Sequence, residues 1–235
     1  IKQAISKRKY KFLILLKEYY EQYQACELLI REKQKIDMLV EVLFNLKDTV
    51  YTQSKNGSGI KYLMNNMEVL QGYKSALILY KELWEQDAKV RRLEDAIKEF
   101  EDNFETTWKG ESFYYPVLNE ENEPFYGTTM QWGKLYEFAL PQLFSIVFDA
   151  VEQEALFTQT LYHSFCEWWN WTKMDYRNQA EANQTWSIIA YAAMKMEDYK
   201  KVDTYLEIFE QKIQDRKYPF YSGDSVWLIL TCEGM

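Results

Sequence analysis

The chain has 235 residues, 47% hydrophobic and 17% aromatic, with 8 Gly, 4 Pro and a formal net charge of -8. That is enough apolar material for one sizeable core, and so little Gly and Pro favours long helices over an all-β fold. The acidic balance argues against a nucleic-acid partner, which needs a basic face, and Lys7, Arg8, Lys9 and Lys11 are too few to reverse it.

Residues 7–24 read as a helix in which Phe12, Leu13, Leu15, Leu16, Tyr19, Tyr20 and Tyr23 cover much of the circumference. Residues 32–51 follow as an amphipathic partner with the stripe Ile36, Leu39, Leu43, Leu46 and Val50. After the loop SKNGSG at 54–59, residues 63–84 form an apolar helix with Gly72, Ser75 and Ala76 allowing close approach. The outer partner at 88–108 has the cleanest stripe: Val90, Leu93, Ile97, Phe100, Phe104 and Trp108. Residues 109–130 break the helical rhythm. Phe113 to Leu118 are β-like, 119–123 make a turn, and Pro124 starts the exit, so a short β excursion is expected near 110–126. Long insertions of this kind are more often functional than plain connectors.

A third pair occupies 132–151 and 153–172, with Pro141 kinking or breaking its first helix. The fourth is the clearest. Residues 180–196 are apolar nearly all round and rich in Ala, as expected of a helix buried on all sides. Residues 197–214 carry one stripe, Val202, Leu206, Phe209 and Ile213, with charges opposite. A turn at 218–224 leads into a last helix at 225–232.

An inner helix wrapped by an outer one, repeated, makes a two-layered ring or solenoid. The wording of these pairs resembles the six-hairpin (α/α) glycosidase-like superfamily. The resemblance is carried by YLMNNMEVLQGYKSALILYKELW, then W…FYYPVL, then NQTWSIIAYAAMKMEDYKKVDTYLEIF and the closing FYSGDSVWLIL, and covers roughly 10–235. It implies an all-α fold: an α/α toroid of helical hairpins, incomplete or open, forming a single domain over 1–235. The helices fall short of six closed hairpins, so the chain is expected to be the C-terminal part of a larger toroid. No invariant catalytic signature accompanies the likeness.

The implied activity is that of a carbohydrate-active protein, a glycoside hydrolase acting on an oligo- or polysaccharide. Such chemistry needs two carboxyl groups across the scissile bond. Four carboxylates sit near inner-helix starts: Glu68 after Asn65 and Asn66, Glu137 beside Trp132 and Tyr136, Glu181 in NQAEANQ, and Asp224 after Tyr221 and before Trp227. Asn178, Asn183, Gln184 and Trp186 surround Glu181. Amides that hydrogen-bond hydroxyls, beside flat rings, suit a sugar site. Substrate contacts are therefore expected from Asn65, Asn66, Trp132, Tyr136, Asn178, Asn183, Gln184, Trp186, Tyr221 and Trp227. Each carboxylate also has a plainer explanation. Asp224 would serve as a helix N-cap, and Glu68 and Glu181 suit the helix dipole. In the EWWNWTK run at 167–173, Trp168 and Trp169 fit a packing stripe with Leu161 and Phe165 better than a ligand rim.

A non-catalytic helical-repeat module binding a protein or glycan is the alternative, although the pairs share pattern and hardly any identities. A sugar isomerase would rely on His for proton transfer, and the chain has one, His163. That scarcity also leaves no His-rich metal site, and no cofactor motif is present: no metal or cofactor is expected. Cys26, Cys166 and Cys232 have no CxxC spacing and read as small buried apolar residues. With no signal pattern at the start, they lean the expected location towards the cytoplasm. No apolar run has the length of a membrane span, so no membrane partner is expected. The chain opens on Ile, which fits a trimmed or processed segment.

Overall fold

A computed structural model describes residues 9–24, 26–176, 185–215 and 222–235. Among them are ten α-helices and two small two-stranded sheets, so the fold is mainly helical as expected. The described residues form two compact units. One lies within Ile1–Gly110 and Tyr115–Thr128, the other within Glu111–Tyr114 and Thr129–Met235.

The first unit contains α1 (Lys9–Tyr23), α2 (Cys26–Arg31), α3 (Lys33–Leu46), α4 (Leu63–Leu79) and α5 (Asp87–Trp108). Helix α4 is its centre. Leu63, Met67, Val69, Leu70, Gly72, Tyr73, Ser75, Ala76 and Leu79 are all buried, so no side of the helix faces water throughout. Helices α1 and α5 pack against it. Helix α5 buries one stripe, Leu93, Ala96, Ile97, Phe100, Phe104 and Trp108, and exposes its charges. Burying such a stripe removes several large side chains from water, at about 1.5–3 kcal/mol each. The last turn of the inner helix departs from the expected continuous rod. It widens to a π-helical turn over Tyr80–Trp84 and stops at Glu85, whose φ is +46°.

Helix α3 ends at Leu46, short of the expected 51, because the chain turns into a tight hairpin of β1 (Lys47–Asp48) and β2 (Tyr51–Thr52). Strand β3 (Lys61–Tyr62) pairs antiparallel with β4 (Val117–Leu118), with Lys61 opposite Leu118. The expected β excursion is therefore present but small. Its partner is a segment more than fifty residues earlier, and a single bridge joins Leu118 to Pro124.

Lys61 holds this joint together and is wholly buried. Its ammonium donates to the carbonyls of Gly59 (3.4 Å), Asn119 (3.3 Å) and Glu120 (3.1 Å), and pairs with Asp48 at 3.0 Å. Four acceptors offset the cost of taking that charge out of water.

The second unit contains α6 (Leu140–Val147), α7 (Leu156–Trp168), α8 (Ser187–Lys195), α9 (Tyr199–Gln214) and α10 (Ser222–Glu233). Helix α6 is buried at every position, and α8 buries Ile188, Ile189, Ala190, Ala192 and Ala193. A π-helical turn, Leu135–Ala139, runs directly into α6, and Pro141, expected to kink or break the helix, is the second residue after that change of helix type. Helices α6, α9 and α10 pack on α8. On α9 the buried set is Val202, Tyr205 and Phe209, whereas Leu206 is half-buried and Ile213 is 40% exposed. Tyr205 takes the inward place because its hydroxyl finds polar partners at the start of α8, described below.

The cysteines depart from the expected burial: Cys26 and Cys166 are half-buried and Cys232 is exposed, all three free thiols. His163 is exposed on α7. No helix among the described residues is long and apolar enough to cross a membrane.

Candidate functional site

Asn178, Glu181, Asn183, Gln184 and Tyr221 lie outside the described residues. The remaining expected residues are placed in two different units. Asn65, Asn66 and Glu68 belong to the first; Trp132, Tyr136, Glu137, Trp186, Asp224 and Trp227 belong to the second.

In the first unit Asn66 is fully buried in the opening turn of α4. Its Oδ1 accepts the Thr52 N–H at 2.8 Å, and its Nδ2 donates to the carbonyls of Thr52 (3.1 Å) and Tyr62 (3.0 Å). Both amide hydrogens are thus spent on backbone, which pins strand β2 to the helix start. Asn65 beside it is half-buried. Glu68 is 8% exposed and pairs with Lys11 of α1 at 3.2 Å.

Gln142 repeats the Asn66 device in the second unit. Fully buried in the first turn of α6, it accepts the Tyr114 N–H at 2.8 Å. Its Nε2 donates to the carbonyls of Tyr114 (2.9 Å) and Phe138 (3.0 Å). In each unit an amide at an inner-helix start satisfies an extended segment that would otherwise bury unpaired backbone groups.

The start of α8 gathers several expected residues. Trp186 precedes the helix in the left-handed region, φ +51°, with its ring 5.9 Å from that of Tyr136. Asp224, in the first turn of α10, accepts the Ser187 N–H at 3.2 Å and so caps the start of α8 rather than its own helix. Tyr205 donates to the Thr185 carbonyl at 3.0 Å and lies 3.1 Å from the Ser187 hydroxyl; Tyr176 donates to the same carbonyl at 3.0 Å. Burial raises the Tyr205 phenol above its usual range, so it remains a donor. Trp227 packs against Phe148 and Tyr191, with ring centres 6.0 and 5.5 Å away. Tyr136 and Glu137 are exposed on the π-helical turn.

A cavity of this unit lies elsewhere, at the end of α7. A pocket of about 330 Å³ is lined by the 166–172 segment together with Asp175 and Lys201. Its shape follows from the tryptophan run. Helix α7 stops at Trp168 and the chain goes extended at Trp169, φ -117° and ψ 121°. Successive side chains then alternate sides. Trp168 is 42% exposed, Trp169 buried, Asn170 exposed and Trp171 buried. Trp169 Nε1 donates to the Trp132 carbonyl at 3.1 Å, and Trp171 Nε1 to Cys166 Sγ at 3.4 Å. A tight turn over Trp171–Lys173, closed by Met174 at φ +53° and an Asn170–Asp175 bridge, brings Asp175 back beside the run.

Among the described lining residues, Lys201 of α9 supplies a cation. It pairs with Asp198, which also accepts the Tyr162 hydroxyl at 3.0 Å. Burial works to raise the Asp198 carboxyl, but hydrogen bonds from Lys201 and Tyr162 outweigh it and hold the group below its ordinary range. Burial pushes the Cys166 thiol and, still more, the Tyr162 phenol upwards.

The packing role expected for Trp168 and Trp169 therefore holds for Trp169 and fails for Trp168, which with Glu167 and Asn170 opens onto the pocket; Trp171 is buried as well. The signal was a two-residue alternation, W-W-N-W, at the end of a 3.6-residue pattern. No group of three metal-ligating side chains occurs among the described residues. No family model, curated protein or solved structure matches the chain.

Proposed function

We propose that this chain is a carbohydrate-binding protein built as an open α/α toroid of helical hairpins, and that the pocket at the end of α7 receives a sugar unit. The pocket's make-up carries this reading: a partly exposed Trp168 beside the amide of Asn170 and the carboxylates of Glu167 and Asp175. A pyranose offers an apolar C–H face and a rim of hydroxyls. A tryptophan face suits the first, and amide and carboxylate groups suit the second. The volume lies near the lower end of the range for small-molecule sites, about 300–1,000 Å³. The toroid part of the proposal is supported by inner helices α4 and α8, largely buried, each followed by an amphipathic α5 or α9.

Two carboxylates on one pocket also favour a second reading, glycoside hydrolysis, with Glu167 and Asp175 as the pair in place of the carboxylates nearer the helix starts. A glycan array probed with the chain and with Trp168→Ala tests the first reading. Retention of glycans by the chain, and their loss in the variant, is expected; retention of nothing, or equal retention by both, counts against it. Release of reducing ends that disappears in Glu167→Gln and Asp175→Asn is the outcome the second reading requires.

A further inference from the structure

We infer that Asn56 is a site of spontaneous modification: its side-chain amide is converted, through a cyclic imide formed with Gly57, into an aspartyl or isoaspartyl carboxylate. The site lies in the first unit and is independent of the pocket.

Asn56 is the only asparagine in the sequence followed by glycine. Both residues are exposed in the 54–59 loop. There Ser58 N–H donates to the Lys55 carbonyl at 3.1 Å, closing a turn whose central residues are Asn56 and Gly57, the latter at φ +72°. That bond leaves the Gly57 N–H without an acceptor among the described residues. A Cβ added at Gly57 would meet nothing, so the space around the attacking nitrogen is open. Other asparagines lack one of these conditions. Asn66 is buried with its amide spent on backbone, and Asn170 is exposed but followed by the buried Trp171. After Asn122, the Glu123 N–H is held by Asn119 Oδ1 at 2.8 Å.

Hydroxide removes the Gly57 N–H proton, and the nitrogen forms a bond to Asn56 Cγ. The Cγ–Nδ2 bond breaks, and the amide nitrogen takes a proton from water and leaves as ammonia. Water then opens the imide. Attack at the side-chain carbonyl leaves aspartate; attack at the main-chain carbonyl leaves isoaspartate, with the backbone routed through the former side chain. Either product sets a carboxylate beside Lys55, and isoaspartate adds a methylene inside the turn. The bonds framing the loop, Ser54 N–H to the Ile60 carbonyl at 2.8 Å and Gly59 N–H to Gln53 Oε1 at 3.2 Å, are made by residues outside the altered link.

The test is incubation of the whole chain at about pH 7 and about pH 8, then tryptic mapping of the Asn56–Lys61 peptide against synthetic Asn, Asp and isoaspartyl versions. Because the attacking nitrogen must first lose its proton, conversion is expected to run about tenfold faster at the higher pH. Asn56 is expected to convert ahead of Asn122 and Asn170, to both carboxyl products, and as fast in the folded chain as in urea. Gly57→Ala is expected to lower its conversion to the level of those two. An intact Asn56, a rate unmoved by pH, or equal conversion in Gly57→Ala overturns the inference. Conversion in urea alone overturns it too, since the fold would then protect the site. Should Gly57→Ala fail to fold, the pH and urea comparisons on the parent chain decide.

Discussion

Replacing Asn66 by Leu separates two roles that its sequence context allows, sugar contact and backbone clasp. The side chain is fully buried and makes three hydrogen bonds, to Thr52 N, Thr52 O and Tyr62 O, at 2.8–3.1 Å. Leucine has nearly the same volume but offers none of these partners, and its bulk keeps water from substituting. At about 1 kcal/mol net per neutral hydrogen bond, the loss is about 3 kcal/mol, and the orphaned Thr52 N–H adds to it. With a urea slope of about 2–3 kcal/mol/M, the unfolding midpoint of the first unit falls by about 1 M or more. Asn65→Leu, at a half-buried neighbour with no such clasp, is the control and is expected to shift the midpoint far less. The assay is urea unfolding followed by circular dichroism, alongside glycan binding of the folded variant. A stability change below about 1 kcal/mol, or loss of glycan binding at unchanged stability, refutes the clasp.

Other consequences follow from the same structure. Lys61→Met keeps the buried stem but removes the ammonium from Asp48 and three carbonyls, and is expected to cost about 3 kcal/mol or more in urea unfolding; a neutral result would mean those acceptors are satisfied otherwise. Gly59→Ala places a Cβ 2.8 Å from Glu120 Cβ at φ +66°, whereas Gly57→Ala, at φ +72°, meets open space. Both strain the backbone, so the thermal midpoint drops in both, and further in Gly59→Ala. The Asp198 carboxyl is held below its ordinary 3.8 in the fold. Its contribution to stability is therefore complete above that value and disappears as pH falls through the depressed folded pKa. Unfolding midpoints between about pH 6 and pH 2 should fall less steeply in Asp198→Asn than in the parent; parallel curves would show that Asp198 carries no such linkage.

The alternation of buried and amphipathic helices was legible because burial writes itself into composition. Helix α4 has apolar or small residues on every side, and α5 has them on one. Which side chain of α9 turns inward was less so. Leu206 fits the helical stripe as well as Tyr205 does, but only Tyr205 has a hydroxyl that the start of α8 can satisfy. Amides were the hardest to read. Asn66 looks from sequence like a ligand for hydroxyls, Gln142 gives no sign of its role, and only the path of β2 and of Tyr114 reveals backbone groups waiting for them. That path depends on contacts distant in sequence, as does the pairing of β3 with β4. Asp224 combines both lessons, a cap in kind, yet for a helix that begins 37 residues earlier. The pocket escaped because three tryptophans in four residues look like core. The helix ends between the first two, and the change of period turns Trp168 outward while Trp169 and Trp171 stay in.

The most direct test of the carbohydrate pocket is a calorimetric titration of the chain and of Trp168→Ala with oligosaccharides. The account predicts saturable binding by the parent and a loss of tenfold or more in the variant, about 1.4 kcal/mol, at an unchanged unfolding midpoint. Binding of equal strength in both proteins, or none in the parent, would contradict it.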